Sequence, residues 1–463
     1  MTFPAYPGYR DSGVEWLGAV PSYWESWKIS HAFGEIGSGT TPPTSEAEWY
    51  ENGTVPWVTT GELRESVIWE TKKLLSSTVL SAFSALRLHP AGSLAIAMYG
   101  ATIGRLGILG VDATTNQACC LLTRPKHLHV KFTFYWLFVF KQSIINLYAS
   151  GGGQPNINQE IIANLKVPAP GIPEQTQIAR FLDHETNRID ALIEEQQRLI
   201  ELLKEKRQAV ISRAVTKGLD PTVPMKDSGV EWLGEVPAHW DVCALRRAIR
   251  SIEQGWSPEC ESYPADEDGW GVLKAGCVNR GVFDPFENKT LPPTLKPIAE
   301  YEVHAGDILM SRASGSPELV GSTALLGQVR ERLMLSDKIF RVHLEEKISS
   351  HFFVWIMNAQ FMRSQIEQAL SGGNGLANNL PQSSLLAFWL AVPPDHEQDA
   401  IAELINEQTG RIDELIAEGD VATELLQERR SALISAAVTG KIDVRGWQIP
   451  ASAPSLELAQ EAM

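Results

Sequence analysis

Residues 174–216, EQTQIARFLDHETNRIDALIEEQQRLIELLKEKRQAVISRAVT, contain neither proline nor glycine. Apolar residues recur at Ile178, Leu182, Ile189, Leu192, Leu199, Leu203 and Val210, with Ile193 and Ile200 beside them. Spacings of three, four and seven describe one sticky stripe along a helix. At about 1.5 Å per residue this helix would run roughly 65 Å, and a stripe of that length needs a partner. The chain supplies one. Residues 397–439 align with it without gaps at an offset of 223, matching Arg188-Ile189-Asp190 to Arg411-Ile412-Asp413 and Ala214-Val215-Thr216 to Ala437-Val438-Thr439. Two copies of one helix are therefore expected to pack on each other as an intramolecular coiled coil.

A second duplication defines the repeat unit. DSGVEWLGAVPSYW at 11–24 returns as DSGVEWLGEVPAHW at 227–240, with eleven of fourteen positions identical. This box precedes each half as a structural clip, its Trp and Leu plugging an apolar niche and its Gly-Val and Val-Pro pairs making turns. The order is box, variable region, long helix, twice over. The boundaries are 1–27 and 219–240 for the boxes, 28–170 and 241–394 for the variable regions, and 171–218 and 395–441 for the helices, with 442–463 as a frayed tail.

In the first variable region, residues 55–59, 93–99 and 118–122 read as strands, since β-branched and aromatic residues dominate them. Gly-rich turns at 37–43, 100–104 and 151–156 separate them. Residues 132–148 form a buried helix, and 166–173 are a stiff Pro-rich hinge into the long helix. The second region differs in sequence but keeps landmarks. His304-Ala305-Gly306 echoes His89-Pro90-Ala91-Gly92, Ser314-Gly315 falls where Gly100-Ala101 does, and Ser371-Gly372-Gly373 matches Ser150-Gly151-Gly152. Both read as one α/β frame carrying different loops.

At 463 residues the chain has room for two or three cored domains. Its 44% hydrophobic and 21% charged residues are ordinary for a soluble protein. No secretory signal is visible, and the longest apolar run, 132–140, is too short for a bilayer. The five cysteines form no Cys-x-x-Cys pair, which suits a reducing cytoplasm and excludes a zinc ribbon or disulfide framework. The net charge of −16 sits largely on the second long helix, where residues 395–440 hold eleven acids against three bases, whereas residues 28–165 hold nine against ten. The total alone does not decide between a polyanion partner and a basic protein partner. Catalytic signatures are missing. Asp284-Pro285-Phe286 lacks the second proline of an adenine-methylating tetrapeptide, no Gly-x-x-x-x-Gly-Lys phosphate loop occurs, and the histidines lack ligand spacing. No catalytic residue and no metal site are assigned.

The doubled box, Pro173-Glu174-Gln175 opening a helix, the mid-helix Arg-Ile-Asp and Ala-Val-Thr-Gly-Lys-Ile-Asp at 437–443 together resemble the specificity subunit of Type I restriction–modification enzymes. The resemblance covers nearly the whole chain. It implies an α/β (α+β) fold, with two target-recognition domains separated by two long antiparallel coiled-coil helices in a pseudo-twofold repeat. Each domain would read one half of an interrupted site on double-stranded DNA. The helices would dock two modification (methyltransferase) subunits, with restriction subunits completing the complex. S-adenosylmethionine is then expected on the modification subunits, ATP and Mg on the restriction subunits, and no cofactor on this chain, which would bind and position in the cytoplasm while partners react. A specificity subunit of another restriction architecture, or a coiled-coil adaptor without DNA, are the alternatives. Gly410 and Gly419 would weaken the second helix by about 1 kcal/mol each.

Base reading takes Arg, Lys, Asn, Gln, Ser and Thr on loops, with cations on phosphate. The candidates in the first domain are Thr40, Thr41, Thr60, Tyr99, Thr102 and Arg105, with Gly39, Gly100 and Gly104 admitting close backbone approach. In the second they are Lys274, Asn279, Arg280, Arg312, Ser314 and Lys338. Arg312→Ala is expected to weaken binding to the cognate site. A DNA titration showing no change removes it.

Overall fold

The structure, a computed structural model, describes residues 3–14, 16–149, 155–371 and 378–450. It divides into two compact units, residues 1–196 with 422–463, and residues 197–421. Each contains one box, one variable domain and segments of both long helices.

The first unit is built on a five-stranded sheet. Phe33–Ser38 and Leu94–Ala97 flank Cys119–Pro125 antiparallel, Leu106–Leu109 continues on the far side of Leu94–Ala97, and Ser66–Ile68 closes the edge in parallel. The expected strand at 118–122 is thus a central one, and Cys119, Cys120, Leu121 and Leu122 are all fully buried, as a strand covered on both faces requires. The helix Val130–Tyr148 lays Phe132, Trp136, Leu137 and Ile144 into the same core.

Among the described residues, the second unit repeats four of these five strands in the same order, without a counterpart of the parallel edge strand in its sheet. Ile249–Gln254, Ile339–Leu344, Ile308–Ser311 and Thr323–Leu325 lie side by side, all antiparallel. Each domain adds a small ladder with one parallel pair, Thr114–Thr115 beside Val55–Val58 and Leu333–Met334 beside Gly271–Leu273. The shared frame inferred from scattered landmarks is therefore a shared strand order. The Ser150-Gly151 and Gly372-Gly373 landmarks lie outside the described residues.

The long helices run without a break over Ile172–Lys217 and Asp395–Val438. Gly410 and Gly419 do not interrupt the second, and Pro393-Pro394 sits just ahead of it. In the first unit the early part of the first helix is joined to the late part of the second by Asp190–Arg430 at 2.8 Å. In the second unit Arg207–Asp413, also 2.8 Å, joins the converse parts. The pairing is antiparallel, and the two ion pairs are the same pair repeated, since 190 and 413, and 207 and 430, differ by the repeat offset of 223. The buried positions repeat too: Ile178 with Ile401, Leu182 with Ile405, Ile189 with Ile412, Ile211 with Ile434, Val215 with Val438.

One expectation about the stripe is corrected. Leu192 and Leu199 are exposed, and between 190 and 210 only Ile200 is buried. Helix ends gain cover from domain and box within each unit, whereas these mid-helix positions stay largely uncovered. A period alone marks which residues share a stripe, not how far a neighbour extends over it.

Two consecutive residues fasten each helix start. Glu174 accepts hydrogen bonds from the hydroxyls of Tyr6 and Tyr23, both at 2.8 Å, and Glu397 from Trp240 Nε1 at 3.0 Å, with His239 at 2.7 Å. Burial, then the Glu174 carboxylate, push Tyr23 up to about 12. Gln175 donates to the carbonyls of His127 and Pro170 and accepts from His129 N–H. Gln398 does the same with Lys347, Pro393 and Ser349. Glu therefore holds the box and Gln holds the sheet's outgoing strand.

The box itself is a two-stranded ladder, Tyr9–Asp11 on Ala19–Pro21 and Met225–Asp227 on Glu235–Pro237. Val-Pro lies in a strand, not in the expected turn. The turn is made by Gly13 and Gly229, whose N–H groups donate to the Asp11 and Asp227 carboxylates. Trp24 and Trp240 are 1% and 0% exposed. The residues from Val444 to Trp447 are not frayed as expected: Val444 is fully buried and Trp447 packs edge-on to Phe181, ring centroids 5.3 Å apart. Residues 451–463 lie outside the described residues.

Trp240 fills its niche completely and also holds a carboxylate, so Trp240→Ala should cost about 3–5 kcal/mol. Denaturant unfolding reads this as a lower midpoint at unchanged slope.

Candidate nucleic-acid interface

Antiparallel order puts four chain points at one end of the first sheet: the exits of Phe33–Ser38 and Leu94–Ala97, and the entries of Cys119–Pro125 and Leu106–Leu109. Gly39, Thr40 and Thr41 follow the first exit, Tyr99, Gly100 and Thr102 the second, and Arg105 precedes an entry. Cross-links tie these turns together. Thr41 Oγ1 donates to Gln117 Oε1 at 2.7 Å, Tyr99 bridges Asn156, and Trp57 Nε1 donates to the Thr40 carbonyl at 3.3 Å. Thr60 joins the same end, because Asn116 N–H donates to the carbonyl of Val58, two residues before it. The opposite end of the sheet leads to His127 and so to the long helix. All nine first-domain candidates thus lie at the free end of their sheet.

The side chains there differ in freedom. Arg105 is exposed and, among the described residues, has neither a side-chain hydrogen bond nor an ion pair. Tyr99 is half-buried, and its phenol is raised by burial first and by Cys119 second, so it stays a neutral donor. Thr60 stands beside Thr59, whose reciprocal bonds with Glu62 cap the short helix Thr60–Glu62.

Two of the three glycines have reasons internal to the fold. A Cβ on Gly39 would stand 1.7 Å from the Thr115 carbonyl oxygen, and one on Gly104 would press Ile145 at 3.0 Å. Close approach of the chain to itself requires them. Gly100 alone keeps the expected character: its φ is +79° and a Cβ there would meet nothing within 4 Å.

In the second domain Arg312 leaves Ile308–Ser311 and Lys338 enters Ile339–Leu344, again at one sheet end. Arg312 N–H donates to the Lys338 carbonyl at 2.8 Å, and its guanidinium donates to the Asp337 carbonyl at 3.0 Å while facing Phe340. Ser314 pairs in a short ladder with Asn378, as Tyr99 does with Asn156. Lys274 follows the strand Gly271–Leu273 and pairs with Glu287 at 3.7 Å. Asn279 and Arg280 sit in the segment Ala275–Gly281, with Arg280 at φ +58°, exposed and unpaired among the described residues. Glu65 holds the corresponding place in the first domain at φ +56°.

The charges at this end are mixed. Lys338 lies 3.3 Å from Asp337. Burial alone would raise the Asp337 carboxyl, but the Ser257 hydroxyl, Lys338 and Arg312 together hold it below the usual range. Arg312 is therefore partly a structural strut, and Arg105 and Arg280 are the freer cations.

Sequence reasoning missed Arg64, Gln117, Asn156 and Asn378, which share these ends. No local signal marked them, because a polar residue in a turn becomes a neighbour of another turn only through strand order. Burial pushes the Cys119 and Cys120 thiols up to about 12, so these two central-strand cysteines are kept from acting as nucleophiles. Among the described residues no cluster of His, Cys, Asp and Glu is arranged to hold a metal, and no helix is long and apolar enough to cross a membrane.

Residues 21–202 match the model of the Type I restriction modification DNA specificity domain. The Type I restriction enzyme EcoEI specificity subunit of Escherichia coli is 31% identical over 242 residues, 52% of this chain and 40% of that protein, so the chain spans well under two thirds of that relative in the match. The MjaVIII specificity subunit of Methanocaldococcus jannaschii is 25% identical over 92% of this chain and 94% of its own length. Among solved structures, the HsdS subunit from Thermoanaerobacter tengcongensis shares the fold at a TM-score of 0.53 and 14% identity, covering 91% of this chain and 98% of its own. A chain from a structure of complex assembly and conformational transition of the type I R-M system gives 0.66 at 15% identity, covering 91% and 99%. The resemblance read from the doubled motifs is to the same family that the model over residues 21–202 and these relatives name, and the solved structures show the shared fold.

Arg105→Ala and Arg280→Ala should each weaken DNA binding by about 1–3 kcal/mol if they reach base edges, with the unfolding midpoint unchanged. Arg312→Ala should lower both affinity and midpoint, because it also releases the Asp337 turn. Paired DNA titrations and thermal melts separate the two classes.

Proposed function

We propose that this chain, a relative of the Type I specificity subunits, is the DNA sequence-recognition subunit of such a system, binding a bipartite, asymmetric double-stranded site. One observation carries the reading: in both domains the candidate polar and cationic residues gather at the sheet end away from the helix junction. The two ends share a frame but present different side chains, Tyr99, Thr102 and Arg105 in one and Lys274, Arg280, Ser314 and Lys338 in the other. Two unlike readers suit an address whose halves differ. The net charge of −16 is no obstacle, since phosphate contacts depend on local cations, not on the sum over the chain.

The chain positions and its partners react. Two modification subunits, carrying S-adenosylmethionine, would methylate adenine, and restriction subunits, carrying ATP and Mg, would cleave. The long helices offer repeated apolar surface for the modification subunits: Leu192 and Leu415 are equivalent and both exposed, as are Leu202 and Leu425. Equivalent patches suit two copies of one partner.

Methylome sequencing of a host carrying the complex should reveal methyladenine in an interrupted motif. Exchange of residues 28–170 for another first domain should change one half of that motif and leave the other. A complex that retains no DNA selectively, with modification subunits present, would establish the adaptor reading instead.

A further inference from the structure

The internal repeat exposes one place where the two units differ in volume. The strand after each box has the same register in both. Glu25–Lys28 pairs with Lys166–Ala169, setting Trp27 opposite Val167, and Asp241–Ala244 pairs with Trp389–Val392, setting Cys243 opposite Leu390. Trp27 and Cys243 are therefore equivalent residues. Their neighbours are equivalent as well. Gln175 donates to the carbonyl of His127 and Gln398 to that of Lys347, both at 2.9 Å, so His127 and Lys347 hold one position. In the first unit the Trp27 indole lies flat on the His127 imidazole, centroids 3.9 Å apart and planes within 1°. In the second unit a thiol stands where the indole would be, and a cavity of about 200 Å³ opens beside it.

Cys243, Arg247, Lys347, Pro393, Asp241 and Asp395 line this cavity. Every one of them belongs to the second unit. Among the described residues Arg247 and Lys347 have no ion-pair partner, and both bring positive charge to bear on Cys243. A cavity at the place where the fold elsewhere seats an indole, walled by two cations without ion-pair partners, has the features that hold an aromatic ring: room for it and charge for the ring's negative face.

We propose that this cavity is a binding site for one planar aromatic ring of indole size, seated beside Cys243 between Arg247 and Lys347. The ring takes the place that Trp27 fills from within the chain in the other unit. Nothing in DNA reading uses the slot, which lies at the helix-junction end of its domain, where Lys347 meets Gln398.

Indole itself is the probe. Saturation-transfer NMR on the full chain should show transfer to indole for the native protein and its loss in Cys243→Trp, which fills the slot from inside. The same variant should raise the unfolding midpoint by roughly 2–4 °C. The reciprocal Trp27→Cys should open a second slot, so that indole raises its midpoint by more than it raises that of the native chain. A measurement without any variant stands beside these: indole should slow alkylation of Cys243 several-fold, read by peptide mass spectrometry. With modification subunits bound, persistent transfer assigns the slot to a free aromatic molecule, and its disappearance assigns it to an aromatic side chain of that partner. No transfer to the native chain, or transfer and alkylation both indifferent to the slot being filled, overturns the proposal.

Discussion

A carboxylate and an amide, side by side in the first turn of a long helix, organise each half of this protein. Glu174 and Glu397 sit where a helix favours negative charge, and they spend that charge on donors from the box. Gln175 and Gln398 are fully buried and satisfy carbonyls and an N–H of the chain leaving the sheet. A buried amide with all its groups met has one low-energy geometry, because each unmet group would cost about 1–3 kcal/mol. Box, sheet and helix are thereby fixed to one another at a single joint. Everything that faces outward is placed relative to it.

That joint separates constant from variable parts. The sheet end next to it repeats closely between the units, down to the hydrogen bonds. The other end carries turns that share strand order but not residues. Sheet ends can change their loops at little cost, since turn residues there are solvated and contribute little to the core. The helix pair obeys the same division. Its ion pairs, Asp190–Arg430 and Arg207–Asp413, recur, but both are partly exposed and each contributes about 1 kcal/mol or less. They set register more than stability, which comes from the buried isoleucines.

Glycine and leucine show how a residue's meaning depends on what comes near it. Gly39 and Gly104 fall in loops at the free end, where a glycine suggests close approach by a ligand. Their close approach is to Thr115 and Ile145 of the same chain. Leu192 and Leu199 belong to the apolar stripe by spacing yet remain exposed, because spacing places a residue on a stripe without supplying a neighbour to cover it. Arg312 reads as a free base reader and turns out to brace Asp337, whereas Arg105 keeps its freedom.

The sequence by itself determined the repeat, the two unbroken helices, their pairing and the equivalence of the two frames. Those follow from periodicity and duplication, which are written along the chain and need no knowledge of what lies across from what. It also placed most candidate readers at strand exits, because turns are legible from glycine and strand signals. Tertiary structure alone decided which of those residues are free, that the residues to Trp447 are packed, and that Trp27 fills a slot which Cys243 leaves open. Each of these depends on contacts between segments far apart in sequence, and burial or vacancy at such a meeting is a property of the pair, not of either segment.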